Sequence, residues 1–252
     1  MLHRALQAVR DGLLGLAYPE DCRVCGSAVE SWDDGVTCAA CWNDAEVTRL
    51  IEGRVCVKCG APASRTVEFT QSPGSTGGSR FCGLCGAVPF GAARACGIYS
   101  GALEANILFL KSSPHICTRL RSLIERTYWR HREALSCEVV VPVPLHRLRE
   151  KQRGFNQASI IASTISTRFN LELDDHLLVR ARPTERHRAG LDAIDRAKSV
   201  EDAFAASHRL AGVTALLVDD VYTTGSTICA ATRSLLEAGA RQVNVLTIAR
   251  VG

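Results

Sequence analysis

The 252-residue chain has no long apolar run and no marked charge excess. A membrane-crossing helix needs about 20 consecutive apolar residues, and no stretch offers them. The formal net charge of +4 is mildly basic and does not by itself call for a nucleic-acid partner. The first residues, MLHRALQAVRDGLLGLAYPEDC, do not read as a signal peptide, because Arg4, Arg10 and Asp11 interrupt any apolar centre. The cytoplasm is therefore the expected compartment. Leu2, Leu6, Val9, Leu13 and Leu16 recur at helical spacing, so residues 1–17 are expected to form an amphipathic helix that packs on something. The length suits one sizeable domain plus a small one.

What the chain does have is cysteine, twelve in all. Eight fall in CxxC pairs, Cys22/Cys25, Cys38/Cys41, Cys56/Cys59 and Cys82/Cys85, confined to the first third. Two sulfurs three residues apart grip one tetrahedral zinc, and two such pairs complete a four-thiolate site. Glycine follows three pairs, in CRVCG, CVKCG and CGLCG, where positive φ lets backbone N–H groups curl towards thiolates. The Cys38 pair, in CAACWNDAEV, reads as the first turn of a helix. Two structural zincs are expected, one on Cys22, Cys25, Cys38 and Cys41, the other on Cys56, Cys59, Cys82 and Cys85, with a crossed pairing as the alternative. Disulfides would need an oxidising compartment, which nothing here indicates. A redox role would need only one pair. Four thiolates leave no open position for catalytic water. Cys96, Cys117, Cys137 and Cys229 are scattered and read as small buried hydrophobes.

Composition divides the chain. Residues 18–92 are rich in Cys, Gly, Pro and Ser, and metal must supply their folding energy. Within them QSPGSTGGSR (71–80) is a low-complexity loop. From residue 93 strands and helices alternate: ARACGIYS, CEVVVPVP, HLLVRAR, TALLVDD and QVNVLTIAR as strands. GALEANILFL, ICTRLRSLIERTYWRHREAL, NQASIIASTISTRFN capped by Asn156, and STICAATRSLLEAGA closed by Gly239 read as helices. The fold class is α/β, a parallel sheet with helices on both faces, and ligands of such sheets sit at the carboxyl ends of the strands.

One strand end carries the chemistry. In LLVDDVYTTGSTI (216–228) an apolar strand runs into Asp219 and Asp220, followed by Thr223, Thr224, Gly225, Ser226 and Thr227 at the start of a helix. A helix N-terminus offers unpaired N–H groups and partial positive charge, so this loop suits a phosphate. Two carboxylates would repel that phosphate, and they make sense facing sugar hydroxyls or magnesium. The bland alternative is an acid pair ending a strand and hydroxyls capping a helix.

This segment resembles the phosphoribosyl-diphosphate (PRPP) signature of type I phosphoribosyltransferases. With VPVPLHRLREKQRGFNQAS (141–159), the four CxxC pairs upstream and VLTIAR at the end, the chain resembles the ComF family of competence-associated proteins, a double zinc ribbon joined to a phosphoribosyltransferase-like domain. The resemblance implies that Asp219 and Asp220 hold the ribose hydroxyls and that residues 223–227 hold the 5′-phosphate. It implies Lys111 as a pyrophosphate cation. Arg147, Arg149, Lys151 and Arg153 read as a mobile loop whose charges clamp the leaving group. Lys111 and Arg153 are thus the candidate catalytic residues, with magnesium as the accompanying ion. The chain departs from the family pattern at Arg188, where a Gln is usual, at Ser199 in place of Asn, and in LKSS (110–113), while Leu191 and Arg196 match.

Two functions follow. One is an enzyme moving phosphoribose from PRPP to an acceptor, with pyrophosphate released. The other is a PRPP sensor working through single-stranded DNA or DNA-uptake proteins. RLRSLIERTYWRHR (119–132) supports the second, with five arginines against one glutamate and Tyr128 and Trp129 interleaved. Its candidate contacts are Arg119, Arg121, Arg126 and Arg130, and its competing reading is a core helix with a solvated face. The sequence identifies neither the acceptor nor the oligomeric state.

Overall fold

The computed structural model describes residues 20–63, 69–71, 80–83, 85–86, 88–180 and 203–252. The helix expected over 1–17, most of the 71–80 loop, and Arg188, Leu191, Arg196 and Ser199 lie outside them.

Two cysteine knuckles repeat one geometry. Cys22 N–H donates to the Ser27 carbonyl (2.7 Å) and Gly26 N–H to that of Cys22 (2.8 Å); likewise Cys56 to Ala61 (2.8 Å) and Gly60 to Cys56 (3.0 Å). Gly26 and Gly60 take φ of 76° and 69°, the left-handed region that glycine enters at little cost, whereas Gly86 does not. Cys38 caps α1 (Ala39–Asn43), the helical turn that CAACWNDAEV suggests. β1 (Phe69–Gln71) and β2 (Arg80–Cys82) pair antiparallel and deliver Cys82.

β3 (Ala93–Ile98) then opens the main layer. After it come α2 (Gly101–Leu110), α3 (Thr118–Arg130), β4 (Val139–Pro142), α4 (Arg147–Arg153), α5 (Gln157–Phe169), β5 (Glu172–Leu173), β6 (Leu178–Arg180), β7 (Phe204–Ala206), β8 (Thr214–Tyr222), α6 (Ser226–Glu237) and β9 (Gln242–Arg250). Five strands form one sheet in the order β3-β9-β8-β4-β5, every pair parallel. Strand alternation divides the core. Ala215 and Leu217 of β8 face Ile228, Ala231 and Leu235 of α6. Leu216 and Val218 belong with Leu103, Ile107, Leu120, Ile161 and Ile165 of α2, α3 and α5. Burying each such leucine or isoleucine stabilises the fold by about 1.5–3 kcal/mol. The outer edge of β3 is covered by the linker from the first ribbon: Ile51 N–H donates to Cys96 (3.0 Å) and Ile98 N–H to Arg49 (2.8 Å).

The structure corrects four boundaries. The stretch 147–153, expected as a loop, is helix α4, begun by His146 Nδ1 accepting from Leu148 N–H (3.3 Å) and ended by Gly154 at φ 81°. Its residues are good helix formers, but none is buried, so no apolar stripe announced it. The described part of HLLVRAR forms β6, which pairs antiparallel with β7 outside the main sheet. The cause is a turn in which the Asp174 side chain accepts from His176 and Leu177 N–H and redirects the chain. β8 continues two residues past the acid pair to Tyr222, and α3 ends at Arg130. Asn156 caps α5 through a bond from Ala158 N–H (3.1 Å), and Gly239, at φ 103°, follows α6, as the sequence suggests.

Candidate functional site

A 660 Å³ pocket opens at the carboxyl ends of the strands. The end of β8 supplies Asp219 and Asp220, the loop before α6 supplies Thr223 and Gly225, the first turn of α6 supplies Thr227, and Tyr99 and Val251 come from the ends of β3 and β9. Lys111 closes α2 on one side; His146, Leu148, Arg149, Gln152 and Arg153 line the other from α4 and its approach.

The two carboxylates lie on opposite faces of β8, as strand alternation requires, yet both border this pocket. Asp220, on the α2/α5 face, accepts from Gln157 Nε2 (3.3 Å) and pairs with Lys111 Nζ (3.3 Å). Gln157 Oε1 in turn accepts from Arg153, so a chain of polar contacts runs from α4 through α5 to the acid. Asp219, on the α6 face, accepts from Asp220 N–H (2.8 Å). Burial, and then the neighbouring Asp220 charge, hold its carboxyl well above the usual range.

The hydroxyl loop divides its work. Thr223, Gly225 and Thr227 face the pocket, whereas Thr224 and Ser226 bond each other (2.9 Å) and shape the turn. Gly225 has φ 81°, and a Cβ built on it would lie 2.6 Å from the Tyr222 hydroxyl. Its glycine is required by backbone conformation and by the ring beneath, in addition to any approach by a ligand.

The eight ribbon cysteines gather into two tetrads in sequential pairing, Cys22/Cys25/Cys38/Cys41 and Cys56/Cys59/Cys82/Cys85, with the sulfurs of each within 4.8 Å of one another. Sulfur separations are 3.8 Å for Cys22–Cys41, 3.6 Å for Cys25–Cys38, 3.5 Å for Cys56–Cys85 and 3.3 Å for Cys59–Cys82. All twelve cysteines are free thiols. At Cys56 burial raises the pKa, but N–H groups of Cys59, Cys82 and Lys58 outweigh it and bring it to about 7. Cys82 N–H itself points at Cys56 Sγ (3.3 Å).

Residues 13–86 match the double zinc ribbon domain and residues 153–252 the phosphoribosyl transferase domain. Competence protein F of Haemophilus influenzae is 32% identical over 116 residues, 45% of this chain and 50% of that one. Competence protein ComFC of Bacillus subtilis is 34% identical over 116 residues, 44% of each chain. Over this span the chain is similar to the competence proteins of the ComF family. The DNA utilization protein YhgH of Escherichia coli K12 is 33% identical over 111 residues, 44% of this chain and 48% of that one. The match to each of these curated relatives spans about half of its length or less. Among solved structures, a glutamine PRPP amidotransferase from B. subtilis covers 58% of this chain and 26% of its own, at 18% identity and a TM-score of 0.35.

The structure brings Lys111, Arg153, the acid pair and the hydroxyl loop to one pocket, and it adds residues that sequence reasoning did not single out. Gln157 was visible in RGFNQ but carried no charge to draw notice; Tyr222 follows the acid pair and reads as ordinary strand. The basic helix is only partly available. Arg119 is committed to Asp34 (2.9 Å) and Asn43 and stacks on Trp42, and Tyr128 is buried. Arg121, Arg126, Arg130 and Trp129 are exposed. Among the described residues no helix is long and apolar enough to cross a membrane.

Proposed function

We propose that this protein binds PRPP with magnesium in the 660 Å³ pocket and transfers its phosphoribosyl group to an acceptor, releasing pyrophosphate. The observation that carries this reading is the placement of the acid pair between a helix-N-terminal hydroxyl loop and opposing cations, Lys111 and Arg153. The loop takes the 5′-phosphate by N–H and hydroxyl donation. Asp219 and Asp220 orient the ribose hydroxyls. Lys111 exchanges its contact with Asp220 for the pyrophosphate, and Arg153 and Arg149 hold the same leaving group from α4. The bond from the sugar's anomeric carbon to pyrophosphate breaks, the acceptor's lone pair forms the new one, and the acceptor gives up a proton. Two carboxylates opening on one pocket are a hard-oxygen donor set that fits magnesium, which when bound supplies positive charge to the departing pyrophosphate.

The cysteine tetrads suit zinc. A Zn–S bond of about 2.3 Å sets sulfur separations near ~3.8 Å in a tetrahedron, close to those observed. Each would be structural, closed by four thiolates, in a ribbon domain extending to about residue 92, with the phosphoribosyltransferase-like domain from residue 93. Free thiols throughout suit a cytoplasmic protein.

A second reading keeps the pocket as a PRPP sensor and assigns the output to DNA or a DNA-uptake protein. The exposed Trp129, with Arg132 4.5 Å from its ring centroid, beside Arg121, Arg126 and Arg130, favours it, as do the relatives' names. The two readings separate in one experiment. PRPP is titrated with magnesium present, and pyrophosphate release is then screened against nucleobases and amines. Release with a defined acceptor supports the enzyme; binding with no release supports the sensor.

A further inference from the structure

The geometry points to Tyr222 and Arg250 as positioning residues that seat the phosphate loop on the second cysteine tetrad, a role that rests on reading residues 223–227 as that loop. Tyr222 and Arg250 are register partners on β8 and β9, at the same end of the sheet as the acid pair. The loop lies against Tyr222: the missing Cβ of Gly225 would meet its hydroxyl at 2.6 Å and its ring carbon Cζ at 3.0 Å. The ring cannot retreat. Arg250 lies 5.2 Å from its centroid, and Phe90 meets it edge-on at 6.3 Å and 85°. Phe90 is only 1% exposed, so it is itself fixed.

Arg250 makes the link to the ribbon. Its Nη1 donates to the carbonyl of Cys59 at 2.8 Å, across 191 residues of sequence. Cys56, Cys59, Cys82 and Cys85 share one apolar cluster with Ala215 and Leu217 of β8, Ile228 of α6 and Val245 of β9, and Tyr222 packs on that cluster. A guanidinium bound to a carbonyl and laid over a ring fixes both in a way a flexible ammonium does not. The second ribbon thereby sets the height of the loop that meets the phosphate, and neither Tyr222 nor Arg250 is among the residues lining the pocket.

The test separates the two ends of the ligand. Ribose 5-phosphate reports the loop; inorganic pyrophosphate with magnesium reports the opposing cations. Both are titrated by calorimetry into the full chain, with zinc content measured alongside. For Tyr222→Ala we expect ribose 5-phosphate to bind at least tenfold more weakly and pyrophosphate to stay within twofold. Tyr222→Phe, which keeps the ring, should restore ribose 5-phosphate binding to within threefold of the parent. Arg250→Gln should lose about threefold or more on ribose 5-phosphate alone, and this variant decides the matter if Tyr222→Ala does not fold. Unchanged ribose 5-phosphate affinity in folded Tyr222→Ala or in Arg250→Gln overturns the role, as does a parallel loss of both probes. A parent protein that binds neither probe overturns the reading of the pocket itself, a result distinct from any of these.

Discussion

The two cysteine tetrads look alike in sequence and differ in what they are attached to. Among the described residues the first forms a small cluster of its own, with Val29 and Val47 packed against Cys22, Cys38 and Cys41. Around it, polar contacts secure the ribbon to α2 and α3: Asn106 to Thr37 (2.9 Å), Ala102 N–H to Thr48 (3.1 Å) and Arg119 to Asp34 (2.9 Å). The second tetrad is part of the core that runs under β8, β9 and α6. The same cysteine arrangement stands in one place as a docked module and in the other as a foundation of the sheet beneath the pocket. CxxC spacing cannot reveal that difference, because attachment depends on long-range packing.

The largest test of this contrast is to break one tetrad at a time. Cys85→Ser should cost several kcal/mol, lower the melting temperature by 10 °C or more, and abolish PRPP binding. Cys25→Ser, at an exposed ligand, should lose one zinc equivalent and yet keep the sheet's circular dichroism and PRPP affinity within about threefold. Equal loss of PRPP binding in both variants would erase the distinction.

A change on the far side of the pocket sharpens it. Gln157→Leu removes the polar link between Arg153 and Asp220 but touches no tetrad. PRPP affinity should fall about tenfold, equivalent to about 1.4 kcal/mol, at unchanged zinc content. A fall in zinc content would show that the pocket and both ribbons are one indivisible unit.

Much of this was legible in the sequence. Four of the sheet's five parallel strands followed from apolar strands alternating with periodic helices, and the pocket's central elements from LLVDDVYTTGSTI, whereas the two-residue β5 was too short to show a pattern. What stayed hidden has physical reasons. α4 buries nothing, so its seven residues carry no stripe. β6 left the main sheet because of a side-chain turn at Asp174. Arg119 looked like one free cation among several until Asp34, 85 residues earlier, was seen to hold it. Gln157 and Tyr222 act through partners far away in the chain, which a local pattern does not contain.

Asp219 gives a smaller effect, in the opposite direction from the cysteines. Burial and Asp220 raise its folded pKa above the unfolded value. The stability contributed by the protonated form is full in acid and lost as pH rises through the folded pKa, leaving an enclosed anion beside Asp220. Asp219→Asn should melt a few degrees higher than the parent at pH 8, with the gap narrowing towards pH 5. It should bind PRPP less well. A variant that melts lower at pH 8 would mean that the carboxylate stabilises the fold. The smallest effect is expected at the docked ribbon: Arg119→Ala should cost about 0.5–1 kcal/mol, and Arg121→Ala less than ~0.5 kcal/mol, in thermal melts.

The most direct measurement is calorimetric titration of the zinc-loaded protein with PRPP, with and without magnesium, in the parent and in Asp220→Asn. The parent should bind one PRPP per chain, at least tenfold more tightly with magnesium, and Asp220→Asn should lose most of that magnesium dependence. No binding by the parent, or equal binding by both proteins in both buffers, would contradict the assignment of the acid pair and the hydroxyl loop to a phosphoribosyl ligand.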